Sequence, residues 1–327
     1  MHQTFILLWL MVAFLLSSTS NLHQVFAASV SSSSLPKPHQ GLKALLFYTC
    51  VTHEVLNQCN ESFTMDQSES ANLGFTSNLT TVDEGFKVGI KSLYAVHDIF
   101  FDNEKHTLRT NWKAVWSSTQ QILKSYIDDG KIIGFFIGDE LFPGKIPLQD
   151  FLTALKAVDA FKQECADKKL ITWENEGGTN WVEFVNKELD GKLPAELDIF
   201  SIDDYSMNAS QHKHFHETVI YPMLHPHQKI YLVPGSYATR APVNISKSEW
   251  CCYGSKFSDC DSCMVERIER FYNWAAKDAR VIGFAPWHWD SRDIDEVTPY
   301  KEVGTVDMPA TRKLWIEISK LMQEGGK

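Results

Sequence analysis

Residues 132–140 read IIGFFIGDE, an apolar run that ends abruptly in two carboxylates. Short apolar runs rich in β-branched and aromatic residues are typical of buried strands. The segment that follows, residues 147–161, is amphipathic and begins with a proline, which suits the first turn of a helix. Five of its apolar residues share one helical face: Leu148, Phe151, Leu152, Leu155 and Val158. The stretch therefore predicts a strand followed by a helix, the repeating unit of an α/β fold.

The same alternation extends in both directions along the chain of 327 residues. Strands are predicted at residues 45–51, 72–79, 92–98, 132–140, 170–176, 197–205, 229–235 and 281–290, of which 72–79 is the weakest. Further helices are predicted at residues 264–275 and 314–321. Eight such units predict an α/β fold of the (β/α)8 TIM-barrel type. The alternative is an open doubly wound sheet, but no glycine-rich phosphate loop follows any strand.

The first 27 residues predict a secretory signal peptide. Residues 5–16 form an apolar run that is too short to span a bilayer, and Val25 and Ala27 place small residues before a cleavage site. An uncleaved anchor is the alternative, because no Lys or Arg precedes the run. The predicted organisation is a signal peptide at 1–27, a flexible lead-in at 28–40 and a single (β/α)8 catalytic-type domain at 41–325. We expect a secreted, extracellular monomer with no membrane attachment after cleavage.

Sequons and cysteines agree with export. Four sequons predict a glycoprotein and begin at Asn60, Asn78, Asn208 and Asn244. Of seven cysteines, four fall within the 13 residues from Cys251 to Cys263. In an oxidising compartment they predict disulfides in a cysteine-rich loop insertion at 237–261, before the last helix and strand. A zinc site is the alternative, although a second CxxC pair is missing. Because seven is odd, one thiol is left over, and Cys165 is the predicted free cysteine.

The charge balance excludes several partners. The chain has 31 Lys and Arg against 41 Asp and Glu, a formal net charge of −10, without a basic run. Nucleic acid is therefore not an expected partner, and an anionic membrane surface is disfavoured. The histidine tract at residues 212–216 lacks an HExxH motif and predicts the solvated start of a helix rather than a metal site. The sequence predicts no cofactor and no metal.

Carboxylates and aromatic residues concentrate at the carboxyl ends of the predicted strands, where TIM-barrel active sites lie. They are Asp139 and Glu140 on strand four, Glu174 and Glu176 on strand five, Asp203, Asp204 and Tyr205 on strand six, and Trp287 and Trp289 on strand eight. Parallel strands bring these ends to one face of the barrel. We therefore expect the side chains to surround a common cleft.

Side-chain alternation predicts which of them face the barrel interior, because the bulky apolar set of each strand faces the helices. On strand four it places Gly138 and Glu140 inside. On strand five it assigns Trp173 to the helix side, so that Glu174 and Glu176 face inward. The same rule predicts four further inward residues: Asp203, Tyr205, Trp287 and Trp289.

Inward carboxylates flanked by tryptophans predict cleavage of glycosidic bonds. One carboxylic acid protonates the leaving oxygen, and a second group stabilises or attacks the oxocarbenium-like centre. The predicted catalytic residues are Glu140, Asp139, Glu176 and Asp203, and the predicted substrate-binding residues are Asp204, Tyr205, Trp287, Trp289 and Glu174. The predicted partner is a carbohydrate substrate.

Two of these motifs carry a resemblance to known families. Gly138-Asp139-Glu140 is similar to the Gly-Asp-Glu of the family 20 hexosaminidases, and Asp204-Tyr205 with Trp289 resembles the signature of the family 18 chitinases. Both families are TIM-barrel glycoside hydrolases in which the strand-four Glu is the proton donor and the substrate's acetamido group is the nucleophile. The resemblance implies that Glu140 is the general acid and that Asp139 orients an acetamido group. Gly138 stands where the family 18 pattern has an Asp.

The second catalytic group stays open among Glu174, Glu176 and Asp203. Retaining barrels with two glutamates place a nucleophile at the end of strand seven, where residues 232–236 read LVPGS without a carboxylate. This gap favours an alternative function, a secreted lectin-like barrel that binds glycan without cleaving it. A further alternative is a lyase or phosphodiesterase that binds a divalent metal through Glu140, Glu176, Asp203 and Asp204.

Overall fold

The computed structural model describes residues 35–47, 70–142, 146–179, 181–239, 257–289, 292–293 and 301–325. Eight parallel strands form the central sheet: β1 Ala44–Leu45, β2 Leu73–Thr76, β3 Lys91–Ala95, β4 Ile132–Asp139, β5 Ile171–Gly177, β6 Ile199–Asp203, β7 Lys229–Leu232 and β8 Val281–Phe284. All eight predicted strands are present, including the weakest, and most are shorter than predicted.

The strands form a nearly closed barrel, as the sequence predicts. Their order in the sheet is β1-β8-β7-β6-β5-β4-β3-β2, with every neighbouring pair parallel. Asn72 joins the two outer strands: its N–H donates to Leu45 O, and its Oδ1 accepts from Leu45 N–H, both at 3.0 Å. One backbone and one side-chain hydrogen bond of Asn72 thus bridge the gap between the outer strands, and the nearly closed barrel confirms the TIM-barrel prediction.

Within the described ranges, the strands are covered by seven helices of seven or more residues: α1 Leu79–Lys87, α2 Trp112–Asp128, α3 Leu148–Glu164, α4 Trp181–Glu188, α5 Ala209–Phe215, α6 Phe257–Ala275 and α7 Pro309–Gly325. Asn78 and Asn208 cap the first turns of α1 and α5 by accepting backbone N–H groups. Because α6 begins at Phe257, Cys260 and Cys263 belong to a helix rather than to the predicted loop, whose residues 240–256 lie outside the described ones. Cys165 is buried and free, as the sequence predicts.

Two segments that the sequence predicts to be flexible or solvated, the lead-in at 28–40 and the histidine tract at 212–216, contain residues that contact α6. In the predicted lead-in, Pro36 O accepts from Tyr272 Oη at 2.9 Å, and the predicted signal peptide lies outside the described residues. His212 and His216 are buried against Phe271 and Trp274 of α6. The prediction of a solvated histidine tract is therefore wrong for His212 and His216, because the helix face that carries them packs against α6. No described helix is long and apolar enough to cross a membrane.

A layer of apolar side chains fills the barrel interior, and it includes Trp173. The Trp173 ring lies 4.4 Å from that of Phe136 and 5.5 Å from that of Phe75, measured between centroids. The predicted orientation of β5 is therefore wrong: Trp173 faces inward, and Glu174 and Glu176 face the helices. Bulk alone misassigned the tryptophan, because a large apolar ring fits either side of a barrel strand.

A bulge changes the alternation at the end of β4. The β4–β5 register shifts between Phe136 and Asp139, so that Asp139 pairs with Asn175 on the interior side. Gly138 takes up the extra residue, and a Cβ there would lie 2.9 Å from Cδ2 of His97. The bulge re-aims the following side chain, as bulges commonly do near active sites. Asp139, rather than Gly138, thereby joins the interior-facing set.

Candidate functional site

A chain of hydrogen bonds rises from the barrel interior to its carboxyl-end mouth. Trp173 Nε1 donates to Ser201 Oγ at 2.8 Å, and Ser201 Oγ donates to Asn175 Oδ1 at 2.6 Å. Asn175 Nδ2 then donates to Asp139 Oδ1 at 2.7 Å. Asn175 is fully buried whereas Asp139 is exposed. The buried amide therefore fixes the direction of a carboxylate that solvent and a ligand can reach.

Glu140 lies beside Asp139 and rests on the end of β5. Its N–H donates to Asn175 O at 2.8 Å, and its φ of +52° lies in the left-handed region. A Cβ on Gly177 would lie only 2.7 Å from Glu140 Cδ, so the carboxyl group occupies space that Gly177 leaves open. A left-handed glutamate costs about 1–3 kcal/mol and persists where the surroundings over-determine it. The half-exposed carboxyl of Glu140 is thus held at the mouth.

Asp203, at the end of β6, completes the group of mouth carboxyls. Tyr205 Oη donates to Asp203 Oδ2 at 3.0 Å. Burial, together with the charges of Asp139 and Glu140, raises the pKa of Asp203 to about 8 against the lowering effect of the hydrogen bond from Tyr205. Burial also raises the pKa of Tyr205. Asp203 therefore carries a proton at neutral pH and can donate a hydrogen bond.

Aromatic side chains form one wall of the mouth. The rings of Tyr205 and Tyr237 meet edge to face at 5.6 Å, and Tyr237 stacks on His288 at 5.4 Å. Trp287 is partly exposed and packs against the interior cluster. Gly235 pairs with Trp287, and a Cβ on Gly235 would lie 3.2 Å from the Tyr237 ring and 3.3 Å from the Tyr205 ring. Rings thus occupy the end of β7, where no carboxylate stands.

Two predicted binding residues have other surroundings. Trp289 is 0% exposed, with its ring 4.8 Å from that of Phe47 and 5.5 Å from the Arg312 guanidinium. Its faces are covered by protein. Asp204 Oδ1 accepts from the N–H and the Oγ of Ser206, which uses the carboxylate in a local turn. The geometry therefore places Trp287 rather than Trp289 at the mouth, and it gives Asp204 a structural contact.

Glu174 and Glu176 lie on the other face of β5, away from the mouth. Both are 0% exposed. Glu176 Oε1 accepts from Phe142 N–H at 2.6 Å, and the Phe142 ring packs against Phe151 of α3 and Phe184 of α4. Burial raises the pKa of both carboxyls, that of Glu176 to about 8. The expectation that these two glutamates face the cleft is thus corrected.

Three residues of the site were missed at the level of sequence: Asn175, Tyr237 and His288. Asn175 lies between the two glutamates in sequence. Because Trp173 was assigned to the helix side, alternation predicted that Asn175 faces the helices as well. An inward Trp173 would have predicted that Asn175 faces the mouth. Within the described part of the chain, no three His, Cys, Asp or Glu side chains are grouped so as to hold a metal ion.

Comparisons with known proteins identify the fold. No family model matches the chain, and no curated protein sequence is significantly similar to it. Among solved structures, the GH10 xylanase of Thermobacillus composti aligns with a TM-score of 0.54 at 10% identity, covering 85% of this chain and 97% of its own.

Two further structures align over most of this chain. The endo-1,4-beta-xylanase XylE of Penicillium canescens aligns with a TM-score of 0.51 at 8% identity, covering 86% of this chain and 95% of its own. A GH113 beta-1,4-mannanase aligns with a TM-score of 0.49 at 14% identity, covering 88% and 99%. At these identities, the likeness to the two xylanases shows that the chain shares their fold.

Proposed function

We propose that the protein is a glycoside hydrolase that cleaves glycosidic bonds at the carboxyl-end mouth of the barrel. The observation that carries the proposal is the convergence of three carboxyl groups, those of Asp139, Glu140 and Asp203, beside the aromatic wall. Neighbouring carboxyls in different environments divide the roles of acid and carboxylate between them. Rings such as that of Trp287 suit stacking on a sugar.

The geometry supports a division of roles among the three. Glu140 is the proposed general acid, because its half-exposed carboxyl lies at the mouth and can approach a glycosidic oxygen. Asp139, oriented by Asn175, stabilises the positive charge of the transition state or orients an acetamido group of the substrate. Asp203 is protonated near neutral pH and donates a hydrogen bond to the sugar. Since the end of β7 offers no nucleophile, an acetamido substrate that supplies its own is the preferred class.

The test is release of reducing sugar from a panel of glycans that includes chitin-type and acetamido-free polymers. We expect Glu140→Gln to lower the wild-type rate by about 10²–10⁴-fold, the usual contribution of a general acid. Glu164→Gln is the matched control, since Glu164 is exposed at the end of α3, on the opposite side of the barrel. Near-normal turnover by Glu140→Gln would contradict the acid assignment. Cleavage of plain glucans or mannans would require a second protein carboxylate.

A non-catalytic lectin-like barrel is the second candidate function. The observation in its favour is the absence of a carboxylate at 232–236, where Ser236 Oγ is instead hydrogen-bonded to Thr305 Oγ1 at 2.7 Å. A wild-type protein that binds glycans of the panel but cleaves none would establish this function in place of hydrolysis.

We also propose that the protein is a secreted, monomeric glycoprotein with disulfides in its cysteine-rich segment. The exposed Asn78 supports this proposal, because its sequon lies at the start of α1, where the asparagine side chain is open to an attached glycan. Mass spectrometry of protein secreted by eukaryotic cells is the test. We expect an N-terminus at Ala28 and a glycan on Asn78. An intact N-terminus with an unmodified Asn78 would contradict export.

A further inference from the structure

The first residues after β4 adopt a conformation that their own sequence does not favour. Glu140 has a φ of +52°, a region in which a side chain's Cβ crowds the following carbonyl. Such a residue is stable only where its surroundings impose the conformation. The restraint on residues 140–142 must therefore come from outside this short segment.

Two hydrogen bonds from β5 supply the restraint. Glu140 N–H donates to Asn175 O at 2.8 Å, and two residues later Phe142 N–H donates to Glu176 Oε1 at 2.6 Å. The first bond joins two backbone groups and is available to most sequences. The second requires an acceptor on the side chain at position 176. Because Glu176 is fully buried, water is not at hand to replace that acceptor.

Glu174 lies next to the acceptor, Glu176, on the same face of β5. Burial and the charge of Glu176 raise the pKa of Glu174, and the hydrogen bond between the two carboxyls raises it further. The same hydrogen bond lowers the pKa of Glu176, against the stronger effect of burial. Burial thus favours the neutral form of both carboxyls, and Oε1 of Glu176 accepts from Phe142 N–H.

We infer that Glu176 is a positioning residue, whose side chain holds the backbone of residues 140–142 so that the Glu140 carboxyl stays over Gly177. The catalytic part of this inference rests on the proposed function, whereas the hold on Phe142 is measurable without a substrate. In this role Glu176 touches no sugar and acts through the loop that carries the acid.

The experiment compares Glu176→Gln with Glu176→Met. Glutamine keeps an oxygen that accepts from Phe142 and an amide that donates to Glu174, while methionine fills a similar volume without an acceptor. We expect Glu176→Met to lower kcat about 100-fold with KM changed less than about threefold, since small misplacement of a catalytic group has effects of this size. Glu176→Gln should restore kcat to within about threefold of wild type.

Two further measurements separate positioning from general loss of stability. Phe161→Leu is the control variant, because the Phe161 ring packs against Trp116 and Phe135, whereas the Phe142 ring packs against Phe151 and Phe184. It should lower the unfolding temperature without lowering kcat. Amide exchange in ¹⁵N-phenylalanine-labelled protein should show faster exchange at Phe142, relative to Phe200 in β6, in Glu176→Met but not in Glu176→Gln.

Each outcome decides the inference. Wild-type kcat and wild-type Phe142 exchange in Glu176→Met would overturn it. So would a loss of kcat without a change at Phe142, since Glu176 would then act in another way. If the wild type cleaves no glycan, the proposed function fails, and Phe142 exchange alone shows whether Glu176 holds the loop.

Discussion

The side chains on the two faces of β5 have different surroundings and different roles. On the inner face, Asn175 orients an exposed carboxylate at the mouth, and Gly177 leaves space for Glu140. On the outer face, Glu174 and Glu176 are fully buried, and burial raises the pKa of both carboxyls. The polar side chain of β5 that contacts the mouth is thus a neutral amide, while its two glutamates are buried on the other face. Residue type alone does not assign a function on such a strand.

The largest effect is expected from filling the inner face. Gly177→Ala would place a Cβ 2.7 Å from Glu140 Cδ, which forces the carboxyl to move. We expect kcat to fall about 100-fold, because a displacement of about 1 Å has effects of this order. Gly74→Ala is the matched control, since its Cβ would meet only Ile90 at an ordinary 3.5 Å. Equal activities in the two variants would show that the activity does not depend on the space that Gly177 leaves for Glu140.

A smaller effect is expected from removing the amide on the same face. Asn175→Ala deletes the donor to Asp139 and the acceptor of Ser201. We expect kcat to fall roughly tenfold as Asp139 becomes mobile, and the free energy of unfolding to fall by about 1–3 kcal/mol because buried partners are left unpaired. Steady-state kinetics and urea unfolding measure the two effects. Loss of stability with unchanged kcat would show that Asp139 needs no orientation.

The outer face should determine how stability responds to alkaline pH. The folded protein keeps protons on Glu174 and Glu176 that the unfolded chain releases above its ordinary pKa of 4.5, and the folded pKa of Glu176 is about 8. The free energy of unfolding should therefore fall as pH rises from about 4.5 to about 8, by about 2–4 kcal/mol.

Urea unfolding at several pH values tests this response. The double variant Glu174→Gln/Glu176→Gln removes both titrating groups and should flatten the decline, while activity at the mouth persists. Identical pH dependence in wild type and double variant would mean that the pair is not protonated in the fold.

The buried histidines should change the pH dependence of stability in the opposite direction, with a loss of stability at acid pH. Burial lowers the pKa of His212 to about 4 and that of His216 to about 3. Because the unfolded chain binds protons below its ordinary pKa of 6.5, stability should fall by up to about 2–3 kcal/mol for each histidine as pH drops from 6.5 toward 4. His216→Asn should weaken this acid decline and leave the alkaline one unchanged. A steeper acid decline in the variant would contradict the assignment.

Local patterns predicted the elements because short apolar runs and amphipathic segments are visible in any window of the chain. Alternation also predicted the inward orientation of Asp203, which agrees with the packing of the outward Phe200 on Trp181 of α4. It failed at Trp173, where the register with neighbouring strands decides the face. The bulge at Gly138 depends equally on non-local pairing.

Local sequence patterns could not predict the buried contacts of the site either, because these contacts join residues that are far apart in the sequence. The bond from Phe142 to Glu176 joins residues 34 positions apart, and the covering of Trp289 by Phe47 joins opposite ends of the barrel sequence. A sequence window contains neither partner. Candidate residues could therefore be named from sequence, whereas their division between the two faces required the fold.

The central claim is that Glu140 at the mouth supplies the proton to the leaving group. The most direct measurement compares wild type and Glu140→Gln on the natural glycan and on the matching 2,4-dinitrophenyl glycoside, whose leaving group needs no proton. We expect Glu140→Gln to cleave the glycan about 10²–10⁴-fold more slowly than wild type, yet to cleave the activated glycoside at close to the wild-type rate. Equal losses on both substrates, or no loss on the glycan, would contradict it.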